Sequence, residues 1–309
     1  MSNFGFMLRF LMPSGKIVPE ISGEDELPLG LSDLLGQVAI RRLPPRPNCT
    51  PSPPERYEVR GSGFQSMEMA SACGKRIKQA LAVVGCELDC GIDVGNDRST
   101  SGASLFVKDM FRDKFCVKLR DNIHGLDVFE EGLPVSRMEM SGTMTVTSRV
   151  EGFLDRLYDL YQKGILLTEK KVFALAFYNS TLFENSTQVR FLNLITVVEI
   201  LSQRCRVSQN SVDLLGRMHS ILREATLTHN ELRSLTNGLH NLKRISIGES
   251  CKGLVSKHLG RQPGEYFARC YRVRSDLVHN GRTSTPERIN PTELGQVVKQ
   301  VLLAELQTT

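Results

Sequence analysis

Residues 263–280 read PGEYFARCYRVRSDLVHN and are followed by Gly281. Pro263 suits the first turn of a helix, and Gly281 suits the position just past its end. Two adjacent stripes recur at helical spacing: Tyr266, Cys270, Val273 and Leu277, and beside them Phe267, Tyr271, Arg274 and Val278. Arg274 therefore stands inside an apolar stripe, where a guanidinium costs free energy unless it meets a partner or lines a cleft. Arg269 and Arg272 fall further round and read as surface charges. His279 lies in the last turn, where a helix C-terminus favours the protonated imidazole. Ser275, one turn earlier, stands where it can orient that ring. Five residues turn through about 500°, or about 140° net, so Arg274 and His279 do not share one face. They reach a common phosphate only if the helix end bends or if two copies of the helix face each other. Taken as a bare spacing, the pair equally fits an Arg in an internal hydrogen-bond network and a capping His.

Helical patterns extend on both sides of this segment. Ser148-Arg149-Val150-Glu151 has the S-x-x-E form of a capping box opening a helix lined by Phe153, Leu154, Leu157, Tyr158 and Tyr161. Further helices are predicted over 169–182, 187–203 and 210–224, the last with an apolar stripe of Leu214, Leu215, Met218, Ile221 and Leu222. Two more capping boxes follow. Thr228…Glu231 precedes Leu232, Leu235, Leu239 and Leu242, and Ser246…Glu249 precedes Cys251, Leu254 and Val255. No strand pattern appears after about residue 147, so residues 148–309 read as an all-α bundle of seven or eight helices.

The N-terminal part has another texture. Phe4, Phe6, Leu8 and Phe10 alternate as in a strand, and RLPPRPNCTPSPP (42–54) can only be an extended surface connection. A helix is predicted over 66–85, with Ala70, Cys73, Ile77, Leu81 and Val84 on one face. A strand follows from the alternation of Leu88, Cys90, Ile92 and Val94. GNDRSTSGAS (95–104) lacks the ending of a phosphate loop and reads as a turn. Short β-like runs recur at 104–109, 114–119, 126–129 and 143–147. Residues 1–147 thus read as an α+β domain, and the chain as an α+β domain followed by an all-α one.

Composition narrows the function classes. The 309 residues include no Trp and few aromatics, which argues against a base-stacking platform for single strands. No apolar run is long enough to span a bilayer, and MSNFGFMLRFLMPSG lacks the form of a signal peptide, so a cytoplasmic protein is expected. Eight Cys fit that compartment as buried thiols. Cys86 and Cys90 have no completing pair for zinc, and neither metal nor cofactor is expected. Residues 201–309 carry 16 Lys and Arg against 9 Asp and Glu, while the rest of the chain is slightly acidic. That asymmetry fits a polyanion partner for the C-terminal part, and fits equally well solvated Arg on helix faces.

Three segments together resemble the HEPN superfamily, and within it the Apea-like branch. RSDLVHNG (274–281) is similar to its R-x4–6-H motif, with Tyr271, Arg274, Ser275 and His279 at matching positions. RFLNLITVVEILS (190–202) is similar to its Arg-Phe…Glu-x-Leu helix through Arg190, Phe191 and Glu199. LHNLKRISIGESCKGLV (239–255) is similar to its Leu-Lys-Arg-x-Ser-Ile segment. The order and spacing agree over residues 170–300. Asn280 stands where Gly usually follows the His. The resemblance implies a metal-independent endoribonuclease of defence or toxin type that cleaves RNA as a homodimer. Arg274 and His279 would be catalytic, with Tyr271, Ser275 and Asn280 supporting. Residues 1–147 would sense a trigger ligand or protein. The alternative is a non-catalytic HEPN module that binds RNA or a protein partner. A third reading places an unrelated activity in the N-terminal domain, with His124, read as a loop residue near Asp121 and Asp127, as its general base.

Overall fold

The computed structural model describes residues 3–21, 26–31, 36–44, 54–97, 100–101, 109, 113, 118–119, 122–131, 135–136, 148–184, 186–280 and 290–308. The chain divides into two compact units, Met1–Ser186 and Thr187–Thr309.

The first unit is built on strands β1 (Phe4–Met12), β2 (Lys16–Ile17), β3 (Leu27–Pro28), β4 (Gln37–Leu43) and β5 (Glu55–Phe64). Helix α1 (Met67–Glu87) follows, then β6 (Thr100–Ser101), β7 (Lys118–Leu119), β8 (Asn122–Glu130), β9 (Val135–Ser136) and β10 (Ser148–Arg149). Helices α2 (Phe153–Lys163) and α3 (Glu169–Thr181) complete it. An antiparallel sheet runs in the order β3-β4-β5-β1-β8-β6, and two short parallel pairs, β10-β2 and β7-β9, lie outside it. The alternation in β1 holds, with Phe6, Leu8 and Phe10 fully buried. Being central, however, the strand also buries Met7 and Arg9 on its other face. Arg9 survives there because it donates to Glu58 of β5 at 2.7 Å, and Arg41 of β4 donates to the same carboxylate, also at 2.7 Å. Burial alone would raise the Glu58 pKa, but the two guanidiniums outweigh it and hold the carboxyl below its ordinary value.

Helix α1 begins as its sequence predicts. Ser66 caps it by accepting from the Met69 amide, and Ala70, Cys73, Ile77, Leu81 and Val84 are all buried. Gly74 lies against Phe6 and Leu126 of the sheet, leaving no room for a side chain. The strand expected at 88–94 is not formed. Cys90, Ile92 and Val94 are buried, but so is Gly91, and only Asp93 bridges to the sheet, at Leu11. Of the β-like runs, 126–129 falls in β8 and 118–119 in β7. Those at 104–108, 114–117 and 143–147 lie outside the described residues.

The predicted start at Ser148 is also corrected. Ser148–Arg149 pairs with Lys16–Ile17 as β10, Gly152 takes a left-handed turn (φ 69°), and α2 begins at Phe153. Helices α2 and α3 then pack on α1. Buried Asn179 of α3 donates to the Ala82 and Leu175 carbonyls and accepts from the Ile92 amide, while Arg156 of α2 grips Glu87 with two donors. These ties place the division after Ser186 rather than at 147/148, so the first two helices of the predicted bundle belong to the first unit.

The second unit contains α4 (Thr187–Leu201), α5 (Gln209–Glu224), α6 (His229–Leu242), α7 (Ile247–Leu259), α8 (Arg261–Asn280) and α9 (Pro291–Gln307). Helices α4, α7, α8 and α9 share one core, drawn from Leu194, Val198, Val255, Phe267, Cys270, Val298 and Leu302 among others. Helices α5 and α6 pack on each other as a hairpin. The apolar stripes that predicted buried faces there are largely in water: Leu214, Met218, Ile221, Leu235 and Leu242 are exposed, and only Leu215 is buried. Of the two later capping boxes, the first forms in full and the second only as an N-cap. Thr228 and Glu231 cap α6 reciprocally, and Ser246 accepts from the Glu249 amide at the start of α7. Among the described residues no helix is long and apolar enough to cross a membrane.

Candidate functional site

Arg274 is carried by α8, whose Phe267, Cys270 and Val273 are anchored in the core of the second unit. That anchoring turns the next residue of the helix, Arg274, toward the neighbouring helix rather than fully into water. Its guanidinium donates to Glu199 of α4 at 3.3 Å, with the Arg side chain 25% exposed and the Glu side chain 14%. The guanidinium carbon lies 5.8 Å from the centroid of the Tyr271 ring. Burial first, and then the neighbouring Glu199 carboxylate, push the Tyr271 phenol up to about 12. The third wall is α7. Gly248 faces the Tyr271 ring so closely that a Cβ would come within 3.0 Å of two ring carbons. Cys251, one turn on, is fully buried beside the same carboxylate. Burial pushes its thiol up to about 11, Ser202 opposes that by hydrogen bonding, and the Glu199 charge adds to it.

The three segments quoted for the family resemblance therefore meet in space. Glu199 and Ser202 come from the first, Gly248 and Cys251 from the second, and Tyr271 and Arg274 from the third. Arg190, from the first segment, keeps its Nε buried without a hydrogen-bond partner among the described residues.

His279 is placed differently. Helix α8 runs unbroken to Asn280, so His279 projects about 140° round the axis from Arg274. It is exposed in the last turn, and Ser275, half-buried, makes no hydrogen bond to it among the described residues. The Asn280 side chain and Gly281 lie outside the described residues. Within one chain Arg274 and Tyr271 are brought together, and His279 is not brought to them.

Glu199 as the partner of Arg274 was not predicted. A signal existed, since Glu199 is the one carboxylate in the apolar run 190–202, as Arg274 is the one guanidinium in its stripe. Two isolated opposite charges on otherwise apolar faces are natural partners.

His124 is not in a loop. It sits in β8 with its side chain 17% exposed, and Nε2 lies 3.0 Å from Asp93. The close imidazole, opposed by burial and helped by the Gly95 amide, holds the Asp93 carboxyl below its usual range. Its carboxylate neighbour is thus Asp93, and Asp121 lies outside the described residues. Among the described residues no three or more His, Cys, Asp or Glu side chains gather as metal ligands would.

The fold and this cluster define an α+β unit joined to a helical unit with a partly buried Arg–Glu–Tyr constellation. No family model matches the sequence, and no curated protein or solved structure shows significant similarity to it.

Proposed function

We propose that the protein is a metal-independent endoribonuclease of HEPN type, a defence or toxin effector that cuts RNA in the cleft of a homodimer. The observation that carries this reading is the convergence of the three resembling segments on Arg274, with His279 on the same helix. Arg274 clamps the phosphate and stabilises charge developing on it. A guanidinium has five N–H donors, and a single one is spent on Glu199, so a fork remains for phosphate oxygens. His279 accepts the proton of the ribose 2′-OH as that oxygen attacks the adjacent phosphorus. The P–O5′ bond breaks, the leaving oxygen takes up a proton, and the products are a 2′,3′-cyclic phosphate and a 5′-OH. In this reading Arg274 and His279 of one active site come from facing copies of α8, which the 140° offset between them supports. Tyr271 holds the Glu199 carboxylate, and Ser275 and Asn280 support the helix end. The first unit restrains or triggers the second.

The alternative, a non-catalytic module binding RNA or a protein partner, is favoured by the engagement of Arg274 with Glu199, which also reads as a purely structural ion pair. One comparison separates the two. The ribonuclease cleaves RNA in EDTA, leaves new 5′-OH ends, and is toxic on expression. His279→Ala and Arg274→Ala abolish all three, and if both remain as active and toxic as the parent the site is wrong.

A further inference from the structure

The α5–α6 hairpin joins the rest of its unit through two short segments, 203–207 and 243–246. They run antiparallel, with the Val207 amide donating to the Lys243 carbonyl at 3.1 Å and the Ile245 amide to the Cys205 carbonyl at 2.9 Å. Arg206 and Arg244 are directly opposite each other in this neck. Residues so paired leave the same face with Cβ atoms about 5 Å apart, and like charges there are destabilising. Lys243 adjoins Arg244, and Arg204 lies two residues before Arg206 with its guanidinium on the Ile245 carbonyl at 3.0 Å. Arg206, Lys243 and Arg244 are exposed, and among the described residues none of these four cations is ion-paired. Helix α7 opens directly after the neck at Ser246, adding the positive end of its dipole. Four cations held together, with Glu249 in the first turn of α7 ion-paired to none of them among the described residues, make a surface that a polyanion neutralises.

The position of the neck gives it a use. One of its segments begins two residues after α4, which carries Glu199, and the other ends where α7, which carries Gly248 and Cys251, begins. Chain length limits the span from the Arg274 cluster to the facing arginines to roughly 15–20 Å, a few nucleotides of extended backbone. We infer that Arg206, Lys243 and Arg244 form a phosphate-backbone track that holds single-stranded RNA beside the Arg274 cluster. The contact is sequence-independent, because phosphates position a strand and carry no base information. The ribonuclease reading supplies the identity of the polyanion, and the cation cluster itself stands apart from it.

The test is fluorescence anisotropy of the full chain against salt, with a labelled single-stranded 2′-O-methyl oligoribonucleotide about 20 nucleotides long, which offers no 2′-OH to cleave. Removing two phosphate contacts on a single strand lowers the slope of log K against log salt by about 1.4. Arg206→Ala/Arg244→Ala is expected to show that drop, equivalent to roughly 25-fold weaker binding at about 0.1 M salt relative to about 1 M. Arg206→Lys/Arg244→Lys should keep the parental slope. The melting temperature of the Ala variant should be unchanged or higher, because a like-charge pair is removed. A parental slope in the Ala variant overturns the inference, as does a parent that binds no RNA. So does a slope lost only on phosphatidylserine vesicles, which would make the neck a membrane contact. If His279→Ala and Arg274→Ala leave cleavage intact while the neck variant loses its slope, the active-site reading fails and the track stands. The reverse result sinks the track alone.

Discussion

Arg274 and Glu199 are separated by 75 positions and meet at 3.3 Å through one donor. Their side chains, 25% and 14% exposed, lie between two regimes. Exposed ion pairs contribute about 0.2–1 kcal/mol, while breaking a buried pair costs about 3–5 kcal/mol because a charge is stranded. With one long contact and partial solvent access, the coupling should be about 1–2 kcal/mol. The perturbation is a double-mutant cycle of Glu199→Gln, Arg274→Ala and both together. Urea denaturation followed by far-ultraviolet circular dichroism reads stability, and RNA cleavage in EDTA is read on the same preparations. Each single change should destabilise, and the double should cost less than their sum by the coupling energy. Cleavage should separate the roles. Arg274→Ala should abolish it, Glu199→Gln should retain most of it, and Arg274→Lys should lose most of it because a point charge does not reproduce a planar fork. A coupling below about 0.3 kcal/mol would show that the pair does not hold Arg274. Equal cleavage by Arg274→Ala and the parent would refute the clamp.

Other outcomes follow from the same contacts. Because the folded pKa of Glu58 is depressed, its contribution to stability is complete above about pH 4.3, the ordinary glutamate value, and is lost as pH falls through the folded value. Glu58→Gln should therefore cost roughly 2–4 kcal/mol at neutral pH and flatten the acid limb of a melting-temperature profile, since it strands Arg9. Gly248→Ala drives a methyl into the Tyr271 ring and should destabilise by about 1–3 kcal/mol in denaturant titrations, more than the same change at Gly253, where a Cβ would face open space beyond its own helix. Of the six described cysteines only Cys205 is exposed. Cys205→Ser should thus remove one fast-reacting thiol in a disulfide-exchange assay, while Cys251→Ser, whose thiol is buried and pushed up to about 11, should remove none.

Local signals were legible where local chemistry decides. The three-residue reach of a cap is contained in the sequence, so Thr228…Glu231 and Ser246…Glu249 gave true helix starts. Ser148…Glu151 has the same form and failed, because Ser148–Arg149 is taken up by pairing with Lys16–Ile17, about 130 residues away in the chain. Periodicity likewise gives α2, α5 and α6 apolar faces, but a stripe does not name its neighbour. Helices α2 and α3 found α1 through Arg156 and Asn179, and the stripes of α5 and α6 remain largely in water.

The sequence by itself determined the order of the two architectures, a helix over 263–280 with an apolar side, and the need for Arg274 to find a partner. Each follows from side-chain spacing within a few turns of one element. Only the tertiary structure decided that the partner is Glu199, that His124 faces Asp93, that the unit boundary follows Ser186, and that Arg206 stands opposite Arg244. All four depend on which surfaces pack together, and that choice is made by contacts between elements distant in sequence, where no spacing rule applies.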